Sequence, residues 1–105
     1  MFHVLLAIAD KERHGYEIMQ EVQERTEGSV RLGPGTLYGS IKRMLADGLI
    51  EESGDRPDPE FDDERRRYYR LTNFGYRVAK SESERLASLL KSARLKKLLS
   101  RPGDV

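Results

Sequence analysis

The sequence contains no cysteine, no tryptophan and only two histidines in 105 residues. The absence of thiols excludes disulfides and thiolate metal sites. His3 and His14 have no Cys partner and no H-x-x-x-H spacing, so no metal ligand set is expected. Residues 55–64 have the acid density of a calcium loop, but Pro57, Pro59 and the missing central glycine argue against one. No apolar run approaches the roughly 20 residues that span a bilayer. No signal-peptide pattern precedes the first helix-like segment. A cytoplasmic protein without membrane contact is expected. No nucleophile elbow, catalytic triad or carboxylate pair stands out, and there are no repeats or low-complexity segments. Neither an enzyme nor a bound cofactor is expected.

An excess of one charge is also missing: 19 Lys and Arg face 18 Asp and Glu, for a net charge of +1. The distribution is less even. Arg31, Lys42 and Arg43 stand against Asp47 alone in residues 31–50, and residues 65–70 carry Arg65, Arg66, Arg67 and Arg70 with no acid among them. A near-neutral chain with two local basic stretches can still bind nucleic acid. The length implies one domain. With 35% charged and 37% hydrophobic residues, the chain is polar for one that must fill its own core. Completion by a second subunit is expected.

Hydrophobic spacing sets out the elements. Phe2, Val4, Leu5, Leu6 and Ile8 imply a short helix ending near Asp10. It is apolar nearly all round, which implies burial. It also starts without a cap, which implies either residues upstream of Met1 or a partner over its end. Residues 11–14 form a polar turn. A second helix follows over 15–26, with Tyr16, Ile18, Met19 and Val22 on its apolar face, and Glu27 and Gly28 end it as a glycine C-cap. Val30, Arg31 and Leu32 alternate as a short strand would. Pro34 suits the first turn of a third helix, whose inner face is Leu37, Ile41, Met44 and Leu45 and whose end is Gly48. Residues 49–52 and 66–71 form a β-hairpin with a long acidic tip. Thr72 or Asn73 can cap a last helix over residues 74–100, about seven turns long.

That last helix carries two stripes. Val78, Ala79, Leu86, Leu89, Leu90 and Ala93 share one side, and Leu95, Leu98 and Leu99 fall about opposite at 100° per residue. A lone helix cannot hide both. Either it kinks near Ser92 or its end meets another surface, and a second copy of the chain is the economical supplier.

Gly33, Gly35 and Gly39, between a strand-like triplet and a helix, imitate a dinucleotide fingerprint. The true motif opens a βαβ unit on a hydrophobic parallel strand, whereas the next strand here leads into a hairpin. The glycines are better suited to turning the chain and baring the N–H groups of the third helix, which could meet a nucleic-acid phosphate.

The order of elements is that of a mainly α winged helix-turn-helix with a small β-hairpin and a long C-terminal dimerisation helix. The residues carry a family resemblance as well. His14-Gly15-Tyr16-Glu17-Ile18 resembles the HGYEI signature of PadR-family transcriptional regulators. Gly35-Thr36-Leu37-Tyr38 with Lys42-Arg43-Met44 and Gly48-Leu49-Ile50 resembles that family's recognition-helix segment, and Arg67 through Gly75 resembles its second wing strand and helix start. The motifs stand in family order over residues 4–76, and the single terminal helix is similar to the small subfamily. The resemblance implies a winged helix-turn-helix DNA-binding domain over 1–72, a dimerisation helix over 73–101 and a disordered tail over 102–105.

In that architecture the third helix enters the major groove. Thr36, Tyr38, Ser40, Lys42 and Arg43 are then the candidate DNA contacts on it, with Gly39 keeping the face low. Arg65, Arg66 and Arg67 at the wing base would reach backbone phosphate or the minor groove, unless they pair with the neighbouring acids Asp62, Asp63 and Glu64. Phe2, Leu6, Leu86, Leu89, Leu90 and Ala93 are the candidate dimerisation residues. The resemblance implies a homodimeric repressor on a near-palindromic double-stranded operator. It also implies a small aromatic effector between the terminal helices, with Tyr16, Phe2, Leu6, Met19 and the stripe from Leu86 to Ala93 as pocket candidates, although core or dimer packing is the better account of each of them and the absence of Trp weakens a stacking site. Two alternatives stay open: a winged helix used for protein contacts, and a ligand-binding dimer without operator-specific DNA binding.

Overall fold

A computed structural model describes residues 1–57 and 65–100, with side chains at 55–57 and 65 outside the described set. The acidic tip at 58–64, with Asp62, Asp63 and Glu64, and the tail at 101–105 lie outside the described residues. The elements are α1 (Phe2–Ala7), β1 (Arg13–His14), α2 (Gly15–Arg25), α3 (Pro34–Ala46), β2 (Ile50–Pro57), β3 (Arg65–Leu71) and α4 (Asn73–Leu95). The strands form an antiparallel sheet in the order β1-β3-β2. Three helices, a hairpin and a long terminal helix make the winged helix-turn-helix architecture expected above.

The core gathers one face of every element except β1. Val4, Leu5, Ala7 and Ile8 meet Ile18 and Val22 of α2, Leu37, Ile41 and Met44 of α3, and Leu49, Ile50, Tyr69 and Ala79 around the hairpin and α4. Each buried aliphatic side chain contributes about 1.5–3 kcal/mol, so this cluster fixes which face of α3 remains in water. Among the described residues, no helix is long and apolar enough to cross a membrane. No group of three or more His, Asp or Glu that could hold a metal occurs among them either.

The helix ends follow one rule. In α2, α3 and α4 the residue after the C-cap adopts a positive φ: Glu27 at 53°, Gly48 at 74° and Lys97 at 62°. In each, the next amide donates five residues back: Gly28 N to Gln23 O at 2.8 Å, Leu49 N to Met44 O at 2.9 Å, Leu98 N to Ala93 O at 2.8 Å. This is the Schellman arrangement. Only α3 uses glycine at the left-handed position. The expected glycine cap of α2 is therefore shared, with Glu27 rather than Gly28 in the capping place.

Four boundaries differ from expectation. α1 stops at Ala7, because Arg13 Nε donates to the Ala7 carbonyl at 2.6 Å and completes the helix end. Val30, Arg31 and Leu32 form no strand, and the Val30 amide donates instead to Thr26 Oγ1 at 3.1 Å. The third strand forms at Arg13 and His14, a segment expected to be a turn, and pairs with Tyr69 and Tyr68. α4 ends at Leu95, not Ser100, in the turn through Lys97 just described. Leu98 and Leu99 thus lie beyond the helix rather than on an opposite stripe of it.

The junction of α3 and α4 is tight. Thr72 caps α4, its Oγ1 accepting from the Gly75 amide at 2.9 Å while donating to the Gly48 carbonyl at 2.6 Å. Its own amide donates to the Leu49 carbonyl at 3.1 Å.

Candidate nucleic-acid interface

α3 begins at Gly33, which offers no side-chain cap, followed by Pro34 at the first helical position. The first-turn N–H groups are therefore left without a side-chain partner. Because Leu37, Ile41 and Met44 are buried, Thr36, Tyr38, Gly39, Lys42 and Arg43 are exposed and Ser40 is half-buried. The expected contact residues divide between two flanks of that exposed face. Thr36, Ser40 and Arg43 line a cleft with Gly35, Gly39 and Met1. Tyr38 turns the other way, toward α2 and the hairpin.

On Tyr38's side lies a cleft of about 330 Å³ lined by His14, Gly15, Tyr16, Tyr38, Arg66, Arg67 and Tyr69. Three elements build it. α2 enters through a reciprocal capping box in which His14 takes the place usual for Ser or Thr. His14 Nδ1 accepts from the Glu17 amide at 3.3 Å, and the His14 amide donates to Glu17 Oε1 at 3.2 Å. His14 is 8% exposed, and its imidazole meets the Tyr68 ring edge-on, 5.2 Å between centroids. Tyr68 is also the ladder partner of His14, so sheet pairing and ring contact both hold β3 against the start of α2.

β3 then presents its arginines. The Arg66 guanidinium lies 5.6 Å over the Tyr16 ring, and one of its nitrogens is 3.5 Å from His14 Nδ1. Arg67 faces Glu52 across the hairpin at 3.7 Å, and Arg70 pairs with Glu51 at 2.9 Å. These exposed pairs are each worth no more than about 1 kcal/mol, weak enough for a phosphate to displace. The backbone of Arg65 is in β3, opposite Pro57, and its side chain lies outside the described residues.

Tyr16 is the functional candidate that sequence reasoning misplaced. It was expected on the apolar face of α2 and in an effector pocket with Phe2, Leu6 and Met19. It is instead 51% exposed and stands beside Tyr38 and Arg66. At 100° per residue it falls about 160° from Ile18, a signal that places it on the wet face.

The expected dimerisation residues form a separate surface. Phe2 lines an apolar groove between α1 and α4 with Met1, Leu5, Val78, Ser81 and Glu82. The Arg85 guanidinium hydrogen-bonds the Glu82 carboxyl at that rim and holds it below the usual carboxylate range. Leu6, Leu86 and Ala93 are half-buried. Leu89 and Leu90 are 55% and 44% exposed, and Leu95 is 76% exposed. Tyr16 shares a further cleft with Met19, Gln20, Gln23, Glu24 and Leu32, but neither that cleft nor the two above brings it together with Phe2 or the α4 leucines.

Known proteins share this fold. The family described as Transcriptional regulator PadR-like family matches residues 4–81. The transcriptional regulator Rv3488 of Mycobacterium tuberculosis is 37% identical over 83 residues, covering 79% of this chain and 70% of the relative. An uncharacterised protein of Lysinibacillus sphaericus is 38% identical over 73 residues, covering 69% of this chain. The chain spans 63% of that relative's length. A PadR-family transcription regulator of Clostridium difficile superposes with a TM-score of 0.72 at 29% identity, over 90% of this chain and 95% of that one. Bacillus subtilis PadR, solved in complex with operator DNA, superposes with a TM-score of 0.67 at 18% identity, over 76% of this chain and 44% of its own, a likeness of fold alone.

Proposed function

The chain belongs to the PadR-like family of transcriptional regulators, and from that premise we infer that it is a homodimeric repressor that binds a near-palindromic operator in the cytoplasm. The observation that carries this reading is the convergence of Tyr16, Tyr38, Arg66 and Arg67, from α2, α3 and β3, on one cleft beside the exposed face of α3. Two hydroxyls and two guanidiniums at that place suit a DNA backbone bordering the groove that α3 enters. Lys42 lies on the same exposed face and Thr36, Ser40 and Arg43 on its far flank, within reach of phosphates and base edges. The operator complex of the Bacillus subtilis relative supports double-stranded DNA as the partner.

The apolar groove between α1 and α4 and the exposed leucines of α4 support association with a second copy, through Phe2, Leu6, Leu86, Leu89, Leu90 and Ala93. A two-fold dimer sets half-site spacing at about one helical turn of DNA or a multiple. A small aromatic effector would act by changing the separation of the two α3 helices.

The test is a binding titration on the DNA upstream of the protein's own coding region, from low to moderate salt, against a scrambled duplex. Specific, salt-sensitive binding by a dimer is expected. If neither that DNA nor any duplex from a random-sequence selection is preferred, the regulator reading falls and the protein-contact reading replaces it.

A further inference from the structure

We propose that Gly15 is a positioning residue for Tyr38. The missing side chain at the entry to α2 lets the Tyr38 hydroxyl lie in the cleft where it meets a DNA phosphate. The proposal rests on the DNA-binding reading above. A Cβ built on Gly15 would stand 2.5 Å from Tyr38 Oη, 2.9 Å from Cζ and 3.2 Å from Cε1. Non-bonded carbon and ring atoms do not approach so closely, their optimum being about 3.5–4.0 Å. The Tyr38 ring therefore occupies the space that any other residue at position 15 would fill.

The backbone supplies no other reason for glycine. Gly15 is not among the residues with positive φ, and it is the first residue of α2, where alanine has the better helix propensity. Tyr38 is 50% exposed, and its hydroxyl has no hydrogen-bond partner among the described residues. The clashing atoms are the far end of a flexible side chain. An added methyl group is relieved by swinging the ring outward, without disturbing α2. Stability and DNA affinity then respond in opposite senses, which a glycine needed only for folding would not produce.

The experiment compares wild type, Gly15→Ala, Tyr38→Phe and the double variant by fluorescence anisotropy on a selected operator duplex and by thermal unfolding. Gly15→Ala should melt at or above the wild-type temperature, yet bind the operator about tenfold more weakly, the size of one hydrogen bond to a charged acceptor. Tyr38→Phe should lose a similar factor, and the double variant should be no weaker than Tyr38→Phe alone. Wild-type affinity in Gly15→Ala, or losses that multiply in the double variant, overturns the proposal while leaving the DNA reading intact. Wild-type protein that prefers no selected duplex over scrambled DNA overturns both. If Gly15→Ala lowers the melting temperature, Gly15→Ala with Tyr38→Ala decides. Recovery shows that the ring fills the space, and continued instability overturns the proposal.

Discussion

Gly75 in the first turn of α4 packs so closely on the Leu49 carbonyl that a Cβ there would lie 1.8 Å from the oxygen. The obstacle is backbone at the entry to β2, which cannot swing aside as a side chain does. Gly75→Ala should destabilise the fold by about 3 kcal/mol, the upper end of the usual range for overpacking. Thermal unfolding measures it. A shift of under a degree would mean that α4 can slide away from β2, and that the junction is looser than its geometry.

Lys42→Ala should weaken binding to operator and scrambled DNA by a similar factor. It should also flatten the dependence of log affinity on log salt by about one unit, as removal of one phosphate contact does. Unchanged affinity and slope would place the Lys42 flank of α3 outside the interface.

Glu52→Ala removes the acid that faces Arg67 at 3.7 Å. Both side chains are well exposed, so stability should change by no more than about 0.5 kcal/mol. DNA affinity at low salt should rise severalfold, because Arg67 is released and a charge repelling phosphate is gone. A fall in affinity would show that Glu52 holds Arg67 in its binding position.

Leu89→Glu tests the subunit contact. Leu89 is more than half exposed in the single chain, so the substitution leaves the core intact. Sedimentation should show a monomer with native helix content, and operator affinity should fall by more than a hundredfold, because one half-site is then bound alone. A dimer with undiminished affinity would place the subunit contact elsewhere.

The helices, the hairpin and the inward face of α3 were legible in the sequence because each rests on a repeated signal. Leu37, Ile41 and Met44 recur at helical spacing, and Thr72 stands in the capping place before α4. The third strand was not legible. Arg13 and His14 are too few to show a period, and only their pairing with Tyr69 and Tyr68, far along the chain, makes them a strand. Val30, Arg31 and Leu32 show the reverse: alternation without a neighbour to pair with. The end of α4 was hidden for a different reason. Lysine at position 97 takes a left-handed φ that composition associates with glycine.

The candidate site was half visible for similar reasons. The α3 residues follow from one helix and its buried face. The cleft needs three elements at once, and its key contact, Tyr38 over Gly15, depends on how α2 and α3 pack. Hydrophobicity also misled at Tyr16. An aromatic residue beside Ile18 and Met19 looks like core, and helical phase alone places it outside.

The Thr72 hydroxyl, bonded at once to the end of α3 and the start of α4, makes those two helices adjoining arms of one joint. α4 has 23 residues, an arm of about 35 Å at 1.5 Å per residue, so a rotation of about 5° at the joint moves its far end by about 3 Å. In the proposed dimer that gearing also runs backward: a fixed grip between the far ends would permit α3 almost no travel. Such a molecule would behave as a caliper, rejecting an operator for the distance between its halves before any base pair is inspected.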